Sequence, residues 1–184
     1  DIIQEKLIIS KIKYKDPKDE YFYHEALEDG YSTKFYYASK VLQYSIDNCK
    51  TWNELQPKTE TLEISKGERI YFKGENIKAG KNKGIGTFKS NKKFNVGGNI
   101  MSLIYGDDFK DQSELIEDHQ FEWLFYNNCK LISAKDLLLP ATKLTESCYV
   151  RMFEHCESLT DAPELPATKL TKECYSSMFS WCKL

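Results

Sequence analysis

Between Tyr21 and Val96 apolar and polar residues alternate over short runs, whereas beyond Gln120 the apolar residues fall into a longer, repeating spacing. Alternation is the period of a half-buried strand, whose successive side chains face opposite sides of a sheet. Tyr21–Leu27 and Tyr31–Tyr37 flank Asp29-Gly30, and Val41–Ser45 and Thr51–Leu55 flank Ile46–Lys50. Thr61–Ser65 and Arg69–Lys73 flank Lys66–Glu68, while Gly86–Lys89 and Lys92–Val96 meet across Ser90-Asn91. Each pair reads as a β-hairpin. Seven or eight short strands spaced in this way predict an antiparallel β-sandwich over residues 1–96. Gly97-Gly98 then punctuates the chain, and the apolar run Ile100–Tyr105 predicts a strand opening a second unit. Asp107–Glu122 is expected to supply a capping helix or loop.

The second unit repeats. Cys148 and Cys174, Tyr149 and Tyr175, Phe153 and Phe179, and Cys156 and Cys182 are each 26 positions apart. A more divergent copy precedes them, with Phe125, Leu131 and Pro140 matching Phe153, Leu159 and Pro166. A fixed period of this length implies stacked units, none of which buries its apolar face alone. Within a unit, Tyr149, Met152, Phe153 and Cys156 stand at i, i+3, i+4 and i+7, the stripe of a short amphipathic helix with Thr145 or Thr171 as its N-cap. Leu159, Ala162 and Leu165, set around Pro163 and Pro166, read as a short extended segment whose ladder the prolines interrupt. The expected fold is thus mixed: a β-sandwich of immunoglobulin-like or carbohydrate-binding-module-like kind over 1–96, and an α/β solenoid over 97–184. The latter would hold a capping unit plus about two and a half repeats.

Met152-Phe153-x-x-Cys156-x-x-Leu159-x-x-Ala162-Pro163-x-Leu165-Pro166-Ala167-Thr168-x-Leu170 resembles the BspA-like leucine-rich repeats of bacterial cell-surface proteins. The resemblance covers roughly residues 120–184. It implies a secreted or surface-anchored protein, extracellular or at the cell surface, with adhesion to host matrix proteins as the style of function. Asp1–Lys6 has neither a basic n-region nor an apolar h-region, so any signal peptide is expected to lie outside this sequence. No stretch of 18 apolar residues occurs, so no transmembrane segment is expected.

Net charge adds a division. Residues 1–96 hold 18 Lys and Arg against 14 Asp and Glu, and residues 97–184 hold 8 against 14, so +4 and −6 sum to −2. An acidic repeat surface disfavours nucleic acid as a partner, because phosphate neutralisation dominates such binding. Lys78, Lys81, Lys83, Lys89, Lys92 and Lys93 form a basic run that reads as a solvated hairpin, with an anionic-ligand patch as the sharper alternative. Four of the six cysteines, Cys148, Cys156, Cys174 and Cys182, read mainly as small buried thiols of the repeat, with disulfides as the alternative, while Cys49 and Cys129 have no obvious partner. Their spacing does not suggest zinc.

Candidate chemistry is sparse. Ser45-Ile46-Asp47-Asn48-Cys49-Lys50-Thr51-Trp52 is similar to the Asp-box hairpin of sialidase-type propellers, with Cys49 where the box has Gly. Its expected role is structural, with Trp52 in the core. Asp107, Asp108, Asp111 and Glu114 suit a helix N-terminus better than a calcium loop, which would need a glycine at its sharp turn. Neither a nucleophile–base pair nor a phosphate loop stands out, so no enzyme, cofactor or metal site is expected. Two binding readings remain. One is adhesion to a host or matrix protein through Lys135, Asp136, Thr160, Asp161 and Glu164 on the repeat strands. The other is a carbohydrate-binding module using exposed Tyr21, Tyr23, Tyr31, Phe35 or Tyr37. Residues 175–184 would leave a repeat face uncovered, so a homotypic contact or fraying is expected there.

Overall fold

The computed structural model describes residues 19–36, 41–74 and 84–184. Their strands are β1 (Tyr23–Ala26), β2 (Tyr31–Tyr36), β3 (Leu42–Ser45), β4 (Asn53–Leu55), β5 (Leu62–Ile64), β6 (Arg69–Lys73), β7 (Thr87–Ser90), β8 (Phe94–Asn99) and β9 (Leu131–Leu138). A six-stranded sheet has the order β4-β3-β6-β1-β8-β9, and a three-stranded sheet the order β5-β2-β7. All pairings are antiparallel except β8–β9, which is parallel.

Only β3–β4 is a hairpin; the other three expected hairpins are arches that carry the chain from one sheet to the other. β1, β6 and β8 belong to the larger sheet, whereas β2, β5 and β7 belong to the smaller. Alternation cannot tell these apart, because either connection leaves both strands with one buried face. The burial of β2, in which Tyr31, Thr33 and Phe35 are covered and the intervening residues are not, satisfies both. The core is aromatic. His24 of the larger sheet packs on Tyr31 and Phe88 of the smaller, and Phe35 on Phe88. The Asp-box hairpin folds around Asp47, whose carboxylate accepts from Ser45 Oγ, Thr51 Oγ1 and the amides of Lys50 and Thr51. These bonds hold its carboxyl well below the usual range. Trp52 is half-buried at the rim rather than in the core, between Tyr21 at 4.9 Å and the Lys73 ammonium at 4.5 Å.

The expected α/β solenoid is not formed. The described residues are mostly β, and their one α-helix, α1, is the four-residue Ser102–Tyr105, where a strand was expected; a 3-10 turn, Gly106–Asp108, follows it. No α-helix arises from Asp107 to Glu122. Asp107 instead bonds Lys73 Nζ through both carboxylate oxygens at 2.9 Å, and Glu114 pairs with Lys143.

Each supposed helix of the repeat is a run of tight turns. Left-handed residues recur at every fourth position: His119, Trp123 and Asn127, then Ser147, Arg151 and His155, then Glu173, Ser177 and Trp181. Within a run, Leu124 N–H reaches Phe121 O and Tyr126 N–H reaches Trp123 O. The intervening amides reach the next copy: Phe121 N–H donates to Cys148 O at 2.8 Å, and Phe125 N–H to Met152 O at 2.9 Å. Tyr149 and Phe153 repeat this onto Cys174 and Met178, both at 2.9 Å. A four-residue turn places apolar side chains at i, i+3, i+4 and i+7 as a helix does, which is why the spacing misleads. Helical geometry would spend every amide on residue i−4 and leave none for the neighbouring copy.

Ring columns fill the stack. Phe125, Phe153 and Phe179 lie at successive centroid separations of 5.3 and 5.5 Å, with interplanar angles of 11° and 5°. Phe121, Tyr149 and Tyr175 repeat this at 5.7 and 5.5 Å. Thr145 and Thr171 are not N-caps; their hydroxyls donate to Glu117 O and Thr145 O of the preceding copy, each at 2.7 Å. The repeat cysteines are free, and the Sγ atoms of Cys156 and Cys182 contact Phe125 O and Phe153 O. The expected 96/97 boundary falls inside β8, and one hydrophobic cluster runs from Phe22 to Met178. Phe125 is its hinge point, at 6.1 Å from Phe88 and 5.3 Å from Phe153.

Candidate functional site

The parallel pairing of β9 on β8 brings the first copy of the repeat against the larger sheet, and a cleft of about 550 Å³ opens beside it. One side is Lys135–Pro140, the other is Glu164 and Pro166, and Glu20 and Tyr23 close the end. The cleft exists because the segment after Asp161 leaves β9. Thr160 N–H donates to Ile132 O and Ala134 N–H to Asp161 O, both at 2.9 Å, but Pro163 and Pro166 carry no amide to continue such a ladder. Leu137 and Leu139 are buried beneath it, while Lys135, Asp136 and Glu164 are exposed.

Three of the five expected repeat-face residues therefore meet here: Lys135, Asp136 and Glu164. Thr160 and Asp161 are exposed but hold the copies together, Thr160 Oγ1 donating to Ile132 O at 3.2 Å and to Asp161 Oδ2 at 2.8 Å. Arg69 lies 4.0 Å above the Tyr23 ring and pairs with Glu20 at 3.0 Å and Glu25 at 2.7 Å. The reach of the ring is limited, since it lies against Gly97, where a Cβ would stand 2.4 Å from Tyr23 Cζ. Burial pushes its hydroxyl above the ordinary tyrosine range despite Arg69.

The other sandwich aromatics do not form a sugar platform. Tyr31 and Phe35 are 0% and 1% exposed, because inward positions of β2 face the second sheet. Tyr21 is partly buried, its hydroxyl donating to Asp107 at 2.6 Å and its ring packed on Phe109 at 4.8 Å. Tyr37 lies outside the described residues.

A second cleft, of about 400 Å³, lies between the strand around β7 and the first run of turns. Gly84, Gly86, Thr87 and Lys89 form one wall; Glu122, Trp123, Tyr126 and Arg151 form the other. The walls approach closely at Gly84, where a Cβ would stand 2.1 Å from Glu122 O. Ile85 N–H to Gln120 O at 3.2 Å, Phe88 N–H to Leu124 O at 2.9 Å and Thr87 Oγ1 to Trp123 O at 2.9 Å fix them. Sequence reading passed over Trp123 and Tyr126. The available signal was that Trp123 breaks the repeat: the matching positions are Arg151 and Ser177. Of the basic run, Lys89 lines this cleft, Lys92 and Lys93 are exposed, and Lys78, Lys81 and Lys83 lie outside the described residues.

Among the described residues no group of three or more His, Cys, Asp or Glu side chains is placed to hold a metal ion. Nor is any helix there long and apolar enough to cross a membrane. No family model, curated protein or solved structure matches the chain.

Proposed function

We propose that the chain is a non-catalytic binding module, secreted or held at a cell surface, that engages an extended segment of a protein ligand in the Tyr23–Asp136–Glu164 cleft. The observation that carries this reading is the convergence of Lys135, Asp136 and Glu164 with Tyr23 around a floor containing Leu137 and Leu139. Apolar floors with a charged rim suit recognition of a chain that carries apolar side chains and charges in turn. Arg69 already offsets Glu20, so Asp136 and Glu164 stand against Lys135 and leave a net negative rim. A ligand rich in Lys or Arg complements it. Exposed charges of this kind act chiefly through association rate and salt dependence. The motif likeness to BspA-like surface proteins supports the location and points to matrix proteins as the ligand class.

Solid-phase and interferometric binding of the purified chain to a panel of matrix proteins tests the reading. At least one is expected to bind, with Asp136→Lys plus Glu164→Lys weakening it roughly tenfold and flattening its salt dependence. Absence of binding across the panel, or indifference to the charge reversal, would refute it.

A further inference from the structure

The cleft beside Trp123 carries an inference independent of the one above. We propose that it binds an acidic saccharide, one whose sugar ring bears a carboxylate or sulfate.

Its shape is preformed, since backbone bonds from Ile85 and Phe88 and the Thr87 hydroxyl tie the two walls together. A rigid site avoids the ordering cost of association. Its volume of about 400 Å³ suits a small ligand. The rings of Trp123 and Tyr126 line it 6.3 Å apart at 53°, Trp123 partly exposed and Tyr126 36% exposed. The stack does not itself demand an indole there. Trp123, Arg151 and Ser177 occupy equivalent places with nearly the same backbone, φ being 60°, 53° and 53°.

The charges point to an anion. Lys89 is half-buried, its Nζ donates to the carbonyls of Tyr126 and Asn127, and it lies 5.4 Å from the Tyr126 ring centre. None of the described carboxylates pairs with it, and burial pushes its pKa down. Arg151 reaches Glu154 only through Nε at 3.6 Å and remains 48% exposed, leaving most of its five donors available. Opposing them is Glu122, whose carboxylate accepts from His119 Nδ1 at 2.9 Å and whose pKa is raised by burial. An anionic group here faces Lys89, which pairs with no described carboxylate, and the Arg151 donors that Glu154 leaves open. The C–H face of the sugar covers the indole, and the Glu122 carboxylate accepts from ring hydroxyls.

Calorimetric titration of the chain with a hexuronate oligosaccharide, its sulfated form and its neutral hexose counterpart tests this. Either acidic form should bind at least tenfold tighter than the neutral one; the two acidic arms distinguish carboxylate from sulfate. Trp123→Asn, which tolerates the left-handed backbone, and Lys89→Met should each weaken binding tenfold or more. Arg151→Gln and Tyr126→Leu provide the same test at exposed positions if either of those variants fails to fold. Binding of neither acidic form, equal binding of the neutral sugar, tighter binding of a glutamate peptide, or full affinity in folded Trp123→Asn would overturn the assignment.

Discussion

Phe125 joins the two halves of the molecule, and its truncation gives the most demanding test of that arrangement. Its ring is fully buried, with Phe22 and His24 each 6.0 Å away, Phe88 at 6.1 Å and Phe153 stacked at 5.3 Å. Phe125→Ala removes a fully buried aromatic from between rings that cannot collapse inward without breaking the interchain-like bonds from Phe125 and Phe153 to the following copies. Such truncations cost about 3–5 kcal/mol, a large share of the roughly 5–15 kcal/mol that holds a domain folded. Phe179 is the contrast: it is partly exposed and stacks on Phe153 alone, at 5.5 Å. Phe179→Ala should therefore cost about 1–2 kcal/mol. Urea denaturation followed by circular dichroism and by tryptophan fluorescence reads both variants. Because Phe125 packs on both parts, the two probes should report one coincident transition, shifted to lower urea. A loss below about 1 kcal/mol, or a surviving transition at the wild-type midpoint, would refute the shared core.

Three further outcomes follow from single residues. His24 is fully buried among rings, Nδ1 meets Tyr31 Oη at 2.7 Å, and Nε2 has no hydrogen-bond partner among the described residues; burial pushes its pKa down to about 3. The unfolded chain titrates this histidine near 6.5, so its contribution is whole above that pH. It declines by about 1.4 kcal/mol per pH unit toward the folded value, to a total of about 5 kcal/mol; His24→Phe should remove that slope from the pH dependence of unfolding. Cys49 holds φ at 64° in the Asp-box turn, so Cys49→Gly should raise stability by about 0.5–1 kcal/mol in thermal melts, relief of strain outweighing the added freedom of the unfolded chain. Burial pushes Cys148 and Cys156 up to about 12, while Cys129 is exposed, so mass-mapped alkylation at pH 8 should label Cys129 first and the other two only on unfolding.

Much of the local structure was legible. The 26-residue period correctly located the stacked copies, since Phe153 over Phe179 and Tyr149 over Tyr175 are the positions it pairs. The Asp-box was readable as a hairpin because its bonds run between residues at most four apart, from Asp47 to Thr51. Strand pairing was not readable in the same way. Tyr31 and Tyr23 stand either side of Asp29-Gly30, yet they join different sheets: His24 of β1 packs across the sandwich on Tyr31 of β2, while Tyr23 faces the other way onto Tyr71. The candidate site divided likewise. Lys135, Asp136 and Glu164 were visible as polar residues on repeat strands, whereas Tyr23 joined them only through the β8–β9 pairing.

By itself the sequence determined what is periodic or local: the phase of the stack, the alternation of the strands, and the turn around Asp47. Those features depend on neighbours in the chain or on a repeat that announces its own partner. Tertiary structure alone decided that the repeating runs are turns rather than helices, because the choice rests on where the amides of Phe121, Tyr149 and their equivalents find acceptors. An i, i+3, i+4, i+7 spacing fixes a buried face but not the direction of its backbone bonds. The same holds for Trp123 and Lys89, which lie 34 positions apart by number and become one cleft only when β7 is bonded to the first run of turns.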